Sequence, residues 1–404
     1  MITFVSTFPP VVCGIGDYTK YLVEKMPKDR WRVIILTPDR FPIRDNIEID
    51  RENALCTVSP SDLSSSIFSY GDLFWFQHEF GIWEKEADRF IDLIKEAKRR
   101  RKRVVITLHT IHFESDETDE GLRKREKRLL NKILPIVDAA TVFSNGAYHS
   151  VTNAFPEYKE KIVVLRHGVH LYEKIDKEKA REMVLRYIRE DLGEDGISYE
   201  HLFGKKRILI GNVGFITKDK NLLDLYQLQD ILRRMLFSHN VIAIYIGMIQ
   251  KKKYERQDGE LLQLLERLKS TSDRRMRFFF NGYIPENMFP FIYNALDFAV
   301  FWFSNATQSG RMAHAQGTDT IVVGRDLEGI GETLRLSGLP YSDTLEGLAE
   351  KIEEMLADPK AENEVKRRNK QYAVKFSFEN QAKKHLLIEE SILSRDRLPK
   401  LDLV

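Results

Sequence analysis

Short runs of β-branched and aromatic residues alternate along the chain with longer charged stretches whose apolar residues recur every three or four positions. In the first part, Ile2–Ser6, Val33–Thr37, Leu73–Gln77, Val104–His109 and Ala139–Phe143 predict strands, with Ile162–Leu165 as the last. Between them Tyr18–Met26, Ala87–Arg99, Gly121–Leu134 and Ala147–Ala154 carry helical spacing. The apolar runs do not alternate strictly, which is the pattern of strands covered on both faces. This rhythm predicts a doubly wound α/β domain on a parallel sheet. Tyr172–Lys206 interrupts it, being highly charged, helical in spacing and broken at Gly193 and Gly196. A second series follows, with strands at Ile208–Val213, Val241–Gly247, Met276–Phe280, Phe298–Phe303 and Thr320–Val323. Its helical segments include Leu222–Phe237, Gly259–Ser270 and Leu345–Leu356, and an amphipathic stretch, Glu379–Arg395, closes the chain. The pattern gives two α/β halves joined near residue 170.

Composition narrows the classes. The chain has 404 residues, 43% of them apolar, with 24 Phe and 4 Trp, which excludes a disordered polypeptide. Lys and Arg total 63 against 61 Asp and Glu, a net charge of +2 that gives no global electrostatic case for nucleic-acid binding. Cys13 and Cys56 form neither a disulfide framework nor a zinc spacing, so a reduced, cytoplasmic setting is expected. No run approaches the roughly 18–20 apolar residues of a membrane span. Met1–Ser6 reads as a strand, not as a signal peptide.

Candidate chemistry gathers at predicted strand ends, where open α/β sheets bind ligands. After the first strand comes Cys13-Gly14-Ile15-Gly16-Asp17-Tyr18. Its glycines permit close backbone approach, and the helix start offers N–H groups to an anion. It lacks the third glycine of a dinucleotide fingerprint, and a tight strand-to-helix turn is the plainer alternative. His78 and Glu79 follow one strand, and His109, with His112 close behind, ends another. Neutral histidines there can hydrogen-bond sugar hydroxyls. A metal set of His78, His109, His112 and Glu79 is a weaker alternative, because no histidine pair has helical spacing. In the second half, Gly214 closes a strand and Lys218 and Lys220 follow at a helix start, which suits a diphosphate. Gln308, Ser309, Gly310 and Arg311 follow the strand Phe298–Phe303 as a second anion cradle, with helix capping by Ser309 as the alternative.

Taken together these residues resemble the GT-B glycosyltransferases, and more narrowly the retaining branch called glycosyltransferase family 4, over nearly the whole chain. Gln77-His78-Glu79-Phe80-Gly81-Ile82-Trp83, Thr107-Leu108-His109-Thr110, His167-Gly168-Val169 and the stretch Gln308–Gly317 are similar in order and spacing to one subgroup of that family. There Ser-Gly stands where other members carry the first glutamate of a two-glutamate motif. The resemblance implies two Rossmann-like doubly wound domains facing across a cleft: residues 1–170 on the acceptor side, 171–378 for the nucleotide-sugar, and a C-terminal helix, 379–404, crossing back to the first. It implies a hexosyltransferase that needs neither metal nor cofactor, with a UDP- or GDP-sugar as donor and a carbohydrate or other hydroxyl compound as acceptor. His109 matches the histidine beside the donor sugar and Lys220 the lysine on the diphosphate. Gly14, Gly16, Gly214, Lys218, Gln308, Ser309, Gly310 and Arg311 would contact the donor, with Tyr283 and Ile284 at the nucleobase. Asp17, His78, Glu79 and His112 fall on the acceptor or sugar side.

The sequence departs from the family at three donor-side positions and at the junction, where His167-Gly168-Val169-His170 stands for the usual Asn-Gly-Val-Asp. Ser304 and Met312 occupy the glutamate positions, and Phe215 replaces an arginine after the second-half glycine. These losses keep open a non-catalytic nucleotide-sugar-binding or regulatory protein. An epimerase, a phosphorylase and a nicotinamide enzyme are weaker readings. Lys98–Arg103 is a basic run that could touch an anionic inner membrane surface or simply complement a helix C-terminus. Lys251-Lys252-Lys253 reads as a solvated surface.

Overall fold

The computed structural model describes residues 1–44, 52–250, 255 and 257–404, so Lys251-Lys252-Lys253 lies outside the described residues. The chain divides into two compact units, Met1–Gly168 with Phe376–Val404, and Val169–Lys375.

The first unit holds a seven-stranded sheet of β1 (Ile2–Ser6), β2 (Trp31–Leu36), β3 (Ala54–Val58), β4 (Leu73–His78), β5 (Arg103–Leu108), β6 (Ala139–Val142) and β7 (Ile162–Val164). Their order is β3-β2-β1-β4-β5-β6-β7, and every pairing is parallel. Alternate residues of each strand feed opposite faces. Phe74 and Phe76 pack with Ile34, Phe90 and Ile94 on one face, and Leu73 and Trp75 pack with Phe4 and Val33 on the other. The second face is finished from the far end of the sequence. Phe378, Ala382, Ile388 and Ile392 of the helix Phe378–Ser394 join that cluster. The helix is shorter than the expected 379–404; its C-cap, Arg395, is left-handed at φ 62° and the remaining residues form a tail.

The second unit holds a six-stranded sheet of β8 (Arg207–Val213), β9 (Asn240–Gly247), β10 (Arg277–Asn281), β11 (Phe298–Phe301), β12 (Ile321–Arg325) and β13 (Tyr341–Ser342). The order is β10-β9-β8-β11-β12-β13, again all parallel. Leu209, Ile242 and Phe278 face one core and Ile208, Val241 and Tyr245 the other. In both sheets the first strand is central and the order reverses beside it. That switch point is where the carboxyl ends of neighbouring strands leave a crevice.

Two strands have no counterpart in the predicted elements, β3 and β13. Both are sheet edges, partly solvated, so neither needs a continuous apolar run. The charged stretch Tyr172–Lys206 resolves into the helices Lys177–Glu190 and Tyr199–Phe203.

Candidate functional site

In the second unit three of the predicted donor residues, Gly214, Lys220 and Arg311, lie together at the carboxyl end of β8. Gly214 has φ 110°, a left-handed conformation that glycine adopts without strain. A Cβ there would lie 2.6 Å from the Arg311 guanidinium, so glycine is also what lets that side chain cross the turn. Arg311 donates to the Val213 carbonyl, and Lys220 donates to the Phe215 carbonyl. Tyr245 donates to the Gly214 carbonyl at 2.6 Å, and burial holds its hydroxyl protonated, with its pKa pushed up to about 12. Among the described residues Arg311 has no carboxylate partner. Arg311 therefore rests on a main-chain carbonyl beside this glycine turn, and a carbonyl only partly offsets a full positive charge.

Lys218 behaves differently. It is bound to Glu260 and lies 3.6 Å from Asp258, so it is a carboxylate-paired surface lysine. Ser309 caps the helix Gly310–Gln316 by accepting from the Met312 N–H at 3.3 Å, which is the plainer of its two readings. Gln308, just before that cap, buries its Oε1 without a partner. Ser304 turns its N–H and hydroxyl to the Asp219 carbonyl, at 2.9 and 3.3 Å, and Met312 is buried in the core. Neither glutamate position offers a carboxylate. Tyr283 is exposed with its ring 6.5 Å from that of Phe215, its carbonyl accepts from the Tyr187 hydroxyl, and Ile284 is buried.

In the first unit Gly14 and Gly16 lie inside the first turn of the helix Gly14–Val23, which starts earlier than expected. A Cβ on Gly16 would come within 3.1 Å of the Phe8 backbone, so this glycine lets the helix lie against the preceding loop. Asp17 lies 3.8 Å from Arg44. His109 is buried, with Nε2 2.6 Å from Gln77 Oε1. Around it stand the rings of Tyr18 at 5.2 Å and Phe143 at 5.1 Å, with His167 5.0 Å from Tyr18 and Phe378 5.9 Å from it. Burial, then the nearby His167 and His78, push the His109 pKa well below its ordinary value, so the ring is neutral. The Tyr18 hydroxyl is buried without a partner. Tyr18, Phe143, His167 and Phe378 were not predicted for this cluster; only Tyr18 and His167 fall in the quoted motifs, and neither carried a role.

His78 and Glu79 face a separate cavity of about 680 Å³ within the same unit. Burial pushes His78 down to about 3. Glu79 is raised by burial and held by the Thr110 hydroxyl. His112 belongs to neither cluster. Its Nδ1 pairs with the buried Glu126 at 2.6 Å, while its N–H donates to the same carboxylate, so it fastens the helix Lys124–Ile133 and leaves the sugar-side set. The metal alternative fails with it: among the described residues no group of three or more His, Cys, Asp or Glu is placed to hold an ion. The basic run is mostly paired. Lys98 and Arg103 meet Asp138, Arg99 and Arg100 meet Glu96, and Lys102 meets Asp72. Among the described residues no helix is long and apolar enough to cross a membrane.

Solved structures match this chain from end to end. Anabaena HepE, in complex with UDP and glucose, is 14% identical with a TM-score of 0.67, covering 98% of this chain and 100% of its own. The UDP-forming α,α-trehalose-phosphate synthase of Burkholderia xenovorans, in complex with glucose-6-phosphate, is 10% identical with a TM-score of 0.68, covering 97% and 99%. A glycosyltransferase from Rickettsia africae is 15% identical with a TM-score of 0.66, covering 98% and 99%. The fold is GT-B. No protein-family model and no curated protein sequence matches the chain. At these identities the likeness concerns the GT-B fold, and the chemistry must be argued from the residues.

Proposed function

We propose that this protein is a glycosyltransferase that moves a hexosyl group from a UDP- or GDP-sugar to an acceptor hydroxyl with retention of configuration, without a metal ion. The observation that carries the reading is Arg311, without a carboxylate partner among the described residues, held over Gly214 beside Lys220 at the carboxyl end of β8. A diphosphate offers the Arg311 guanidinium anionic oxygens in place of its neutral carbonyl acceptor. Tyr283, exposed next to Phe215, offers a ring for the base. That two of the matched structures hold UDP or form it is in keeping with this assignment.

In this reading the diphosphate is the leaving group, and Arg311 and Lys220 stabilise the charge it gains as the glycosidic bond breaks. The acceptor oxygen bonds to the anomeric carbon from the departing side and its proton passes to a donor phosphate oxygen. No side-chain base is required, which agrees with the absence of a carboxylate at Ser304 and Met312. His109, neutral and fixed by Gln77, serves as a hydrogen-bonding group for the donor sugar. His78 and Glu79 belong to the acceptor side. The missing carboxylates at Ser304 and Met312 favour a second reading, a protein that binds nucleotide-sugars without turning them over. Incubation with UDP-, GDP- and ADP-sugars and a panel of acceptors separates the two. Transfer supports the enzyme; tight binding with neither transfer nor hydrolysis supports the binding protein.

A further inference from the structure

The cavity beside His78 carries a charge that donor binding leaves unused. Arg40, Arg125, Arg128 and Lys132 line it, against Glu79 and Glu84. Arg40 lies 3.3 Å from Glu84, and Arg125 sits over the Phe80 ring at 4.5 Å. Arg128 is exposed and has no partner among the described residues. Lys132 lies 3.3 Å from Asp88, so Arg40, Arg125 and Arg128 against Glu79 and Glu84 leave an excess of one positive charge at one opening. The floor is apolar, with Trp83, Phe90 and Leu129 buried. Trp83 also buries its indole N–H without a partner. At about 680 Å³ the cavity is of the size that holds small organic molecules. Guanidinium groups match phosphate oxygens in bidentate fashion, and a phosphate monoester carries close to two negative charges at neutral pH.

We propose that this cavity binds a phosphorylated organic molecule, its phosphate at Arg125 and Arg128 and its body over Trp83. That the molecule is the sugar acceptor rests on the glycosyl-transfer reading; the binding does not. A soluble sugar phosphate and a phosphorylated lipid present the same chemistry, so the test carries an arm for each.

The full-length chain is titrated with a hexose 6-phosphate, the unphosphorylated hexose, octyl phosphate and octanol, and is mixed with phosphatidic-acid and phosphatidylcholine vesicles. The comparison protein is Arg125→Ala/Arg128→Ala, two exposed positions whose loss leaves the core intact. At least one phosphorylated probe binds about tenfold more tightly than its unphosphorylated counterpart, and the double variant loses that preference. A preference for the hexose phosphate marks a soluble ligand; one for octyl phosphate or the acidic vesicles marks a lipid. Equal binding of phosphorylated and neutral probes, binding of none, or a preference that survives in the double variant overturns the site. UDP, GDP and ADP are titrated in parallel. A phosphate preference in a chain that ignores every nucleotide leaves this site standing and removes the glycosyl-transfer reading, whereas nucleotide binding without the preference does the reverse.

Discussion

His78 and His109 are buried and His167 is half-buried, all three as neutral imidazoles, and desolvation is the main cause for each: His78 is pushed down to about 3 and His167 to about 4. In the unfolded chain a histidine titrates near pH 6.5. The folded pKa is the lower one, so the unfolded state binds more protons between the two values. The contribution to stability is therefore complete above about pH 6.5 and is lost as pH falls toward 3–4. Urea unfolding at a series of pH values should show stability declining from about pH 6.5 downward, with a shallower slope in His78→Gln. Identical slopes in the two proteins would contradict a neutral buried His78. For catalysis, Lys220→Ala and His109→Ala should each cut transfer by on the order of a hundredfold at saturating donor. Wild-type turnover in both would remove these residues from the mechanism. At this scale the sequence was read unevenly. A strand-end position identified His109, Gly214 and Arg311 as candidates, but only side-chain geometry shows that Lys218 goes to Glu260 and His112 to Glu126.

Most buried strands were legible because burial on both faces leaves a continuous apolar run. Strands β3 and β13 were not, because their residues are partly exposed and carry no continuous apolar run. Helix starts were harder. The expected start at Tyr18 misses the turn containing Gly14 and Gly16, since glycine carries no helical signal and is needed here for close packing against Phe8. Two substitutions probe elements around the donor turn. Gly214→Ala places a Cβ into Arg311 on a left-handed backbone, so it should weaken nucleotide binding at least tenfold while circular dichroism stays native. Unchanged affinity would show that the turn tolerates a side chain. Ser309→Ala removes the cap of the helix Gly310–Gln316 and should cost about 1 kcal/mol in chemical denaturation. No loss would mean that the serine is held for a ligand and not for the helix.

The chain builds two parallel sheets, and the first unit takes its last helix from the far end of the sequence. The doubling and the join near residue 170 follow from strand rhythm alone. The cationic cavity does not: Arg125 and Arg128 share one helix face, but Arg40 comes from a distant segment and spacing says nothing about its meeting them. Ile388, fully buried against the first sheet, gives a whole-molecule test of the chain's return: Ile388→Ala should cost about 2–5 kcal/mol in the first unit only. Calorimetry should show one transition lowered and that of Val169–Lys375 unmoved; a uniform shift of both would contradict the division. The most direct test of the central claim is nucleotide titration of the wild type and Arg311→Ala. The account predicts that UDP or GDP binds the wild type and that the variant binds it at least tenfold more weakly, through loss of a charge-assisted contact. Nucleotide affinity that is absent in the wild type, or equal in the two proteins, would contradict it.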